Sequence, residues 1–114
     1  MKAVIVSGNK RVRKSLMMLL QAYPELEVFF LEDYEPFSIP DDTDVVIMDI
    51  DSLLDVQQLP YLISSHSLIF YSRSKEFSEL VDWLHVYNAD FINVYTPPDC
   101  VLHLIKKACS RRKL

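Results

Sequence analysis

Glycine is almost missing from this chain: Gly8 is the only one in 114 residues. With a single glycine there is no glycine-rich loop to bring backbone amides against a phosphate. A dinucleotide fingerprint and a Walker-type loop are both excluded. Cysteine is scarce too. Cys100 and Cys109 have no His or Cys beside them at zinc spacing, and both fall on one predicted helix. They read as reduced thiols in a cytoplasmic protein rather than as a disulfide framework. Long hydrophobic runs are lacking: stretches such as Val45–Met48 fall far short of the ~20 residues that span a bilayer. Polar Ser7-Gly8-Asn9-Lys10 cuts off the first apolar run too early for a signal peptide. Between Ser15 and Ser72 there is no Lys or Arg, while eleven Asp and Glu fall between Glu25 and Asp55. Phosphate contacts need clustered cations, so this acidic stretch argues against direct nucleic-acid binding by the domain.

What is present describes one globular domain. Apolar residues make up 50% and charged residues 25%, with a net charge of −4. A domain of this size buries roughly 65% of its unfolded surface, enough for a single core without staples. The cations gather at Lys10-Arg11-Val12-Arg13-Lys14, at Arg73 and Lys75, and in Arg111-Arg112-Lys113. The domain is read as residues 1–110, with 111–114 a basic tail or the start of a linker; a solvated helix end explains it better than a DNA contact.

Five short apolar runs recur: Ala3–Val6, Leu26–Leu31, Val45–Asp49, Leu68–Ser72 and Phe91–Tyr95. They are rich in β-branched and aromatic residues, and four lack clean alternation, as strands buried on both faces do. Helical stripes lie between them. Val12, Leu16, Leu19 and Leu20 form one, Phe77, Leu80, Val81 and Leu84 another, and Val101, Leu104, Ile105 and Ala108 a third. Leu53, Leu54, Leu59 and Leu62 suggest a fourth, broken near Pro60. Asn9 can cap the first helix. Ser52-Leu53-Leu54-Asp55 and Thr96-Pro97-Pro98-Asp99 read as capping boxes, the latter with Pro at the first helical position. Between Leu31 and Asp44, Pro36 and Pro40 favour a turn or loop over a full helix. Strands alternating with helices predict a doubly wound parallel sheet. In such sheets the ligand site lies at the carboxyl ends of the strands. Those ends carry Ser7-Gly8-Asn9, Asp49-Ile50-Asp51, Ser72-Arg73 and Tyr95-Thr96-Pro97.

These strand ends resemble a receiver domain, the phospho-aspartate module of bacterial two-component response regulators. The resemblance runs from Met1 to about Ser110. Ala3-Val4-Ile5-Val6 followed by Val12-Arg13-Lys14-Ser15-Leu16 matches the first strand and helix. Tyr23-Pro24-Glu25-Leu26-Glu27-Val28 is similar to the segment before strand two in the NarL/LuxR-type subgroup. Asp44-Val45-Val46-Ile47-Met48-Asp49-Ile50 matches the strand that ends in the phospho-acceptor, which puts Asp49 at that position. Leu68-Ile69-Phe70-Tyr71-Ser72 matches strand four, with Ser72 at the hydroxyl position, and Ala89-Asp90-Phe91-Ile92 fits the approach to strand five. The resemblance implies a five-stranded sheet of order 2-1-3-4-5, with a short or missing second helix.

The departures bear on activity. The family holds Mg²⁺ with an acidic pair after strand one, where Ser7 and Gly8 stand here. Its strand-five Lys matches Thr96, or Tyr95 if the strand is counted one residue differently. Asp51 is then the remaining carboxylate near Asp49, and Mg²⁺ there would bind weakly, since losing two charges from a divalent site costs affinity. Arg73 can pair with Asp49 in place of the Lys, or point to solvent. The reading is therefore a degenerate receiver with no resident cofactor and no enzyme activity, working by dimerisation or partner binding without phosphorylation. The alternative is a live receiver phosphorylated at Asp49 by a histidine kinase. There is no triad order and no metal-spaced cluster, and His66, His85 and His103 have no acid or nucleophile paired with them in sequence.

The family commonly forms homodimers through its fourth helix, fifth strand and fifth helix, here Glu76–Lys107. Trp83, Val86 and Tyr87 fall off the predicted core stripe there, as interface residues or packed beneath a loop. The subgroup resemblance also implies a C-terminal helix-turn-helix DNA-binding domain outside these residues, in a transcription regulator; no membrane contact is expected.

Overall fold

The computed structural model describes residues 1–33, 38–52, 67–72, 90–93 and 95–112. Five strands form one sheet: β1 (Lys2–Val6), β2 (Glu27–Leu31), β3 (Val45–Asp49), β4 (Leu68–Ser72) and β5 (Asp90–Asn93). Helix α1 (Lys10–Leu20) links β1 to β2, and helix α2 (Pro98–Arg112) follows β5. The spatial order is β2-β1-β3-β4-β5, and every pairing is parallel. This is the order that the sequence resemblance implies. The segments read as helices around Leu53–Leu62 and Phe77–Leu84 lie outside the described residues.

The continuous apolar runs become the central strands because both faces of a parallel sheet must be covered. Every residue of β3 and β4 is buried. Alternate side chains then divide into two cores. On one face Ala3, Ile5, Ile47, Ile69 and Ile92 pack against Val12, Leu16 and Leu20 of α1 and Val101, Ile105 and Ala108 of α2. On the other, Val4, Val6, Val46, Met48, Leu68 and Phe70 gather with Ile39 from the proline-bounded loop. β2 behaves differently. It is an edge strand, and Glu27, Phe29 and Phe30 are exposed along it.

Helix starts follow local chemistry. Asn9 caps α1 as expected: its Oδ1 accepts from the backbone N–H of Arg11 at 2.9 Å and of Val12 at 3.1 Å. α2 departs from expectation. Pro98 is its first residue, but Pro97 is the cap, its carbonyl accepting from Cys100 at 3.0 Å and Val101 at 3.1 Å. The Thr96 capping box is not made, because Thr96 Oγ1 is used in the turn behind it. β5 is also displaced: it starts at Asp90 and stops at Asn93, two residues before the expected end. Asn93 ends it by accepting the Tyr95 N–H at 2.8 Å on its side-chain oxygen, which turns the chain off the ladder. Neither Cys100 nor Cys109 is in a disulfide; the first is exposed and the second buried.

The amino-terminal end of β1 is tied down by charge. Lys2 Nζ meets Asp42 at 2.7 Å, and the Lys2 backbone N–H donates to Asp44 Oδ2 at 2.8 Å. The hydrogen bond to Asp42 raises the Lys2 pKa above 10.5, helped by the charges of Asp42, Glu27 and Asp44 and opposed by desolvation. A raised lysine contributes stability below its unfolded value and loses it as pH climbs through the folded one. The stability gap between wild type and Asp42→Asn in urea is therefore expected to be full at neutral pH and to close at pH values above 10.5. Beside this pair, Thr43 is buried, and its Oγ1 has no hydrogen-bond partner among the described residues. Removing an unsatisfied buried hydroxyl at nearly constant shape is favourable, so Thr43→Val is expected to raise the unfolding free energy by about 1 kcal/mol in urea titration.

Candidate functional site

β1 lies inside the sheet, with the edge strand β2 on one side and β3 on the other. The chain leaves β1 toward β2 and later returns to β3, so the strand order reverses at β1. The carboxyl ends of β1 and β3 are therefore where a crevice is expected. Two residues read from the sequence meet there. The Ser7 hydroxyl donates to Asp49 Oδ2 at 2.7 Å, across 42 residues of chain. The backbone N–H of Asp51 donates to the other oxygen, Oδ1, at 3.1 Å, as Ile50–Ser52 turns through one coil of 3-10 helix. Asp49 is fully buried, and a buried carboxylate is tolerable only where donors meet it. Asp49, Asp51 and Ser72 also take part in further interactions beyond these.

The direction of the serine proton follows from distance and charge. Ser7 Oγ lies 2.7 Å from Asp49 Oδ2 and 3.4 Å from the Asn9 carbonyl, so its single proton goes to the carboxylate. The same oxygen accepts from the Asn9 N–H at 3.1 Å. The Ser7 backbone N–H donates to the Leu31 carbonyl at 2.9 Å. The Ser7 carbonyl accepts from Arg13 Nη1 at 2.7 Å. Ser7 is thus held from β2, from its own loop and from α1 while it holds Asp49. Gly8, beside it, is exposed.

Ser72 closes β4 and is buried. Asp49 stands opposite Tyr71 in the ladder, so Ser72 lies one residue further toward the same end of the sheet. Thr96 is placed differently from the expectation. It sits in the turn after β5, and its hydroxyl accepts from Asn93 N–H at 2.9 Å and donates to Asn93 Oδ1 at 3.3 Å. It serves the turn rather than Asp49. Arg73, Trp83, Val86 and Tyr87 lie outside the described residues. Arg13 is the site residue that sequence reasoning missed. It stands six positions beyond the carbonyl it binds, and only the path of the loop into α1 brings the two together.

The side chains present do not fit a resident Mg²⁺, the metal that the resemblance implies. A hard divalent cation wants anionic oxygens, and the loop after β1 offers a neutral hydroxyl whose proton already points at Asp49. Among the described residues no three His, Cys, Asp or Glu side chains come together as a metal site.

No protein-family profile and no curated protein matches the chain. Solved structures do. A response regulator receiver protein from Pseudoalteromonas atlantica superposes with a TM-score of 0.75 at 19% identity, over 98% of this chain and 99% of that one. The beryllofluoride-activated N-terminal receiver domain of RstA from Klebsiella pneumoniae gives 0.78 at 17% identity, over 96% and 98%. RcsB from Salmonella enterica, bound to the rprA promoter in the presence of beryllofluoride, gives 0.73 at 13% identity, over 94% and 67%. The fold is that of response-regulator receiver domains.

If the Ser7 hydroxyl holds Asp49 as the distances indicate, Ser7→Ala leaves a buried carboxylate oxygen short of a donor. Its expected cost is about 2 kcal/mol of stability. In a double-mutant cycle with Asp49→Ala, most of that cost is expected to disappear.

Proposed function

We propose that this chain is a receiver-type signalling module that works without phosphorylation. It acts by associating with itself or with a partner, inside a bacterial signal-transduction or transcription regulator. The observation that carries this reading is the 2.7 Å hydrogen bond from Ser7 to Asp49. Phosphoryl transfer to a carboxylate needs cations that neutralise the phosphoryl oxygens and hold the product. The loop after β1 supplies a proton donor to the acceptor position in their place. The arrangement satisfies Asp49 as it stands and supports one persistent state. Self-association across Glu76–Lys107 remains part of the proposal. The likeness to promoter-bound RcsB supports placing the module in a regulator whose DNA-binding domain lies outside these residues.

A second reading has an observation of its own. Asp49 ends β3, and Ser72 ends the neighbouring β4 on the same rim of the sheet, as a phospho-acceptor and its supporting hydroxyl would. On that reading Asp49 takes a phosphoryl group from a histidine kinase in a relaxed metal site.

Amide NMR spectra with Mg²⁺, then with Mg²⁺ and beryllofluoride, separate the two. No saturable shift around Asp49 and Ser72 is expected at millimolar Mg²⁺. Shifts that saturate in the wild type and vanish in Asp49→Ala would overturn the phosphorylation-independent reading. Restoring the acids with Ser7→Asp and Gly8→Asp together is expected to tighten Mg²⁺ binding by about a hundredfold, since two charges return to the site.

A further inference from the structure

α1 places its charge against its own dipole. Lys10, Arg11, Arg13 and Lys14 crowd its amino-terminal half, there is no acid in the helix, and its last turn carries no base. Cations at a helix amino terminus are locally unfavourable. These are four of the twelve Lys and Arg in a chain of net charge −4. Arg13 has a local use, its bond to the Ser7 carbonyl; a sequence that still gathers Lys10, Arg11 and Lys14 against the dipole points to a surface kept for something else.

Beside these cations runs a groove of about 390 Å³, lined by Lys10, Arg13, Lys14, Met17 and Met18 of α1 and Phe30 of β2. Its floor is apolar and open to solvent: Met18 is 66% exposed and Phe30 is 50% exposed. Arg13 forms a wall, its guanidinium 5.9 Å from the Phe30 ring centre and 3.8 Å from Glu32. Lys10 and Lys14 are exposed at the rim. The groove lies along the edge of the sheet, where β2 has no outer neighbour among the described residues.

We propose that this groove takes an acidic amphipathic helix of a partner protein. The partner's apolar stripe lies on Met17, Met18 and Phe30, and its carboxylates face Lys10 and Lys14. Methionine is unbranched and adapts to irregular apolar partners, and helices dock in grooves through anchors at successive turns. α1 has 11 residues, so it presents roughly 16 Å, about three turns, to such a helix. Charge selects against the other occupants. A second copy docking through the same face would set cations against cations. Duplex DNA would gain little from an apolar floor with the Glu32 carboxylate beside Arg13. The inference extends the partner-binding side of the proposed function. Its test leaves Asp49 untouched, so the two readings fail separately.

The probe is a fluorescein-labelled peptide of about fifteen residues, long enough for four helical turns, with Leu at helical spacing and Glu elsewhere. Fluorescence anisotropy is read on titration with the whole chain. Saturable binding in the micromolar range is expected, weakening with salt. Lys10→Glu with Lys14→Glu, and separately Met18→Asp, are each expected to weaken it about tenfold. Both variants change exposed side chains, and circular dichroism checks that they fold. Absence of saturation at millimolar protein would overturn the proposal. So would equal binding of a scrambled peptide or of one with Lys in place of Glu, or indifference to both variants. Competition by duplex DNA that outbinds the peptide would assign the surface to nucleic acid instead.

Discussion

A strand buried on both faces has nowhere to put a polar side chain except at its ends. β3 imposes this condition on the molecule. From Val45 to Met48 it is apolar and dry, and the ladder to β1 and β4 uses its backbone groups. Its one charge, Asp49, is expelled to the carboxyl end but remains buried there. The surroundings of Asp49 are consequences of that placement. A donor must come from the end of the neighbouring strand, and Ser7 supplies it. The loop carrying Ser7 must be held, and Asn9 and Arg13 hold it. The apolar stripe of α1 packs below on the same sheet, so the position of the loop and the packing of the core are parts of one arrangement.

The same condition explains what was legible in the residues. The bounds of β3 and β4 can be read directly, because continuous apolar runs such as Val45–Met48 have few other uses in a short domain. The edge position of β2 is less visible, since Glu27-Val28-Phe29-Phe30-Leu31 looks as apolar as a central strand. Only its place outside β1 leaves Phe29 and Phe30 in solvent. The end of β5 was misplaced by two residues. Strand propensity favours continuing through Tyr95, but the Asn93 side chain captures the Tyr95 amide and makes a turn, and tertiary context decides between them. Thr96 follows the same logic, as a hydroxyl that looks like a helix cap is already used by Asn93.

The site was legible in its members and not in its contacts. Ser7, Asp49, Asp51 and Ser72 can be named from strand ends alone. That Ser7 would donate its proton to Asp49 cannot, because the partners are separated by 42 residues and only the β1–β3 register joins them. Arg13 left no signal, since a guanidinium in a basic helix looks like any other surface cation. Its bond to the Ser7 carbonyl also gives the rim of the sheet a mechanical link to the edge. One side chain touches the loop that holds Asp49, the ring of Phe30 and the carboxylate of Glu32.

The interior position of β1 has a consequence for how the chain reaches this structure. β1 is made before its partners, Glu27–Leu31 and Val45–Met48. Neither neighbour can form a local hairpin with it, because parallel pairing needs a crossover. Its apolar residues therefore wait, unpaired, until Glu27–Leu31 has been made, and pairing on the second side waits for Val45–Met48, so the loops closed by these pairings are long. Contacts of this separation slow folding relative to helical domains of equal length. During that interval, exposed strands are open to pairing with other chains. The strand that later joins β2 to β3 is thus, in the nascent chain, a segment in need of protection.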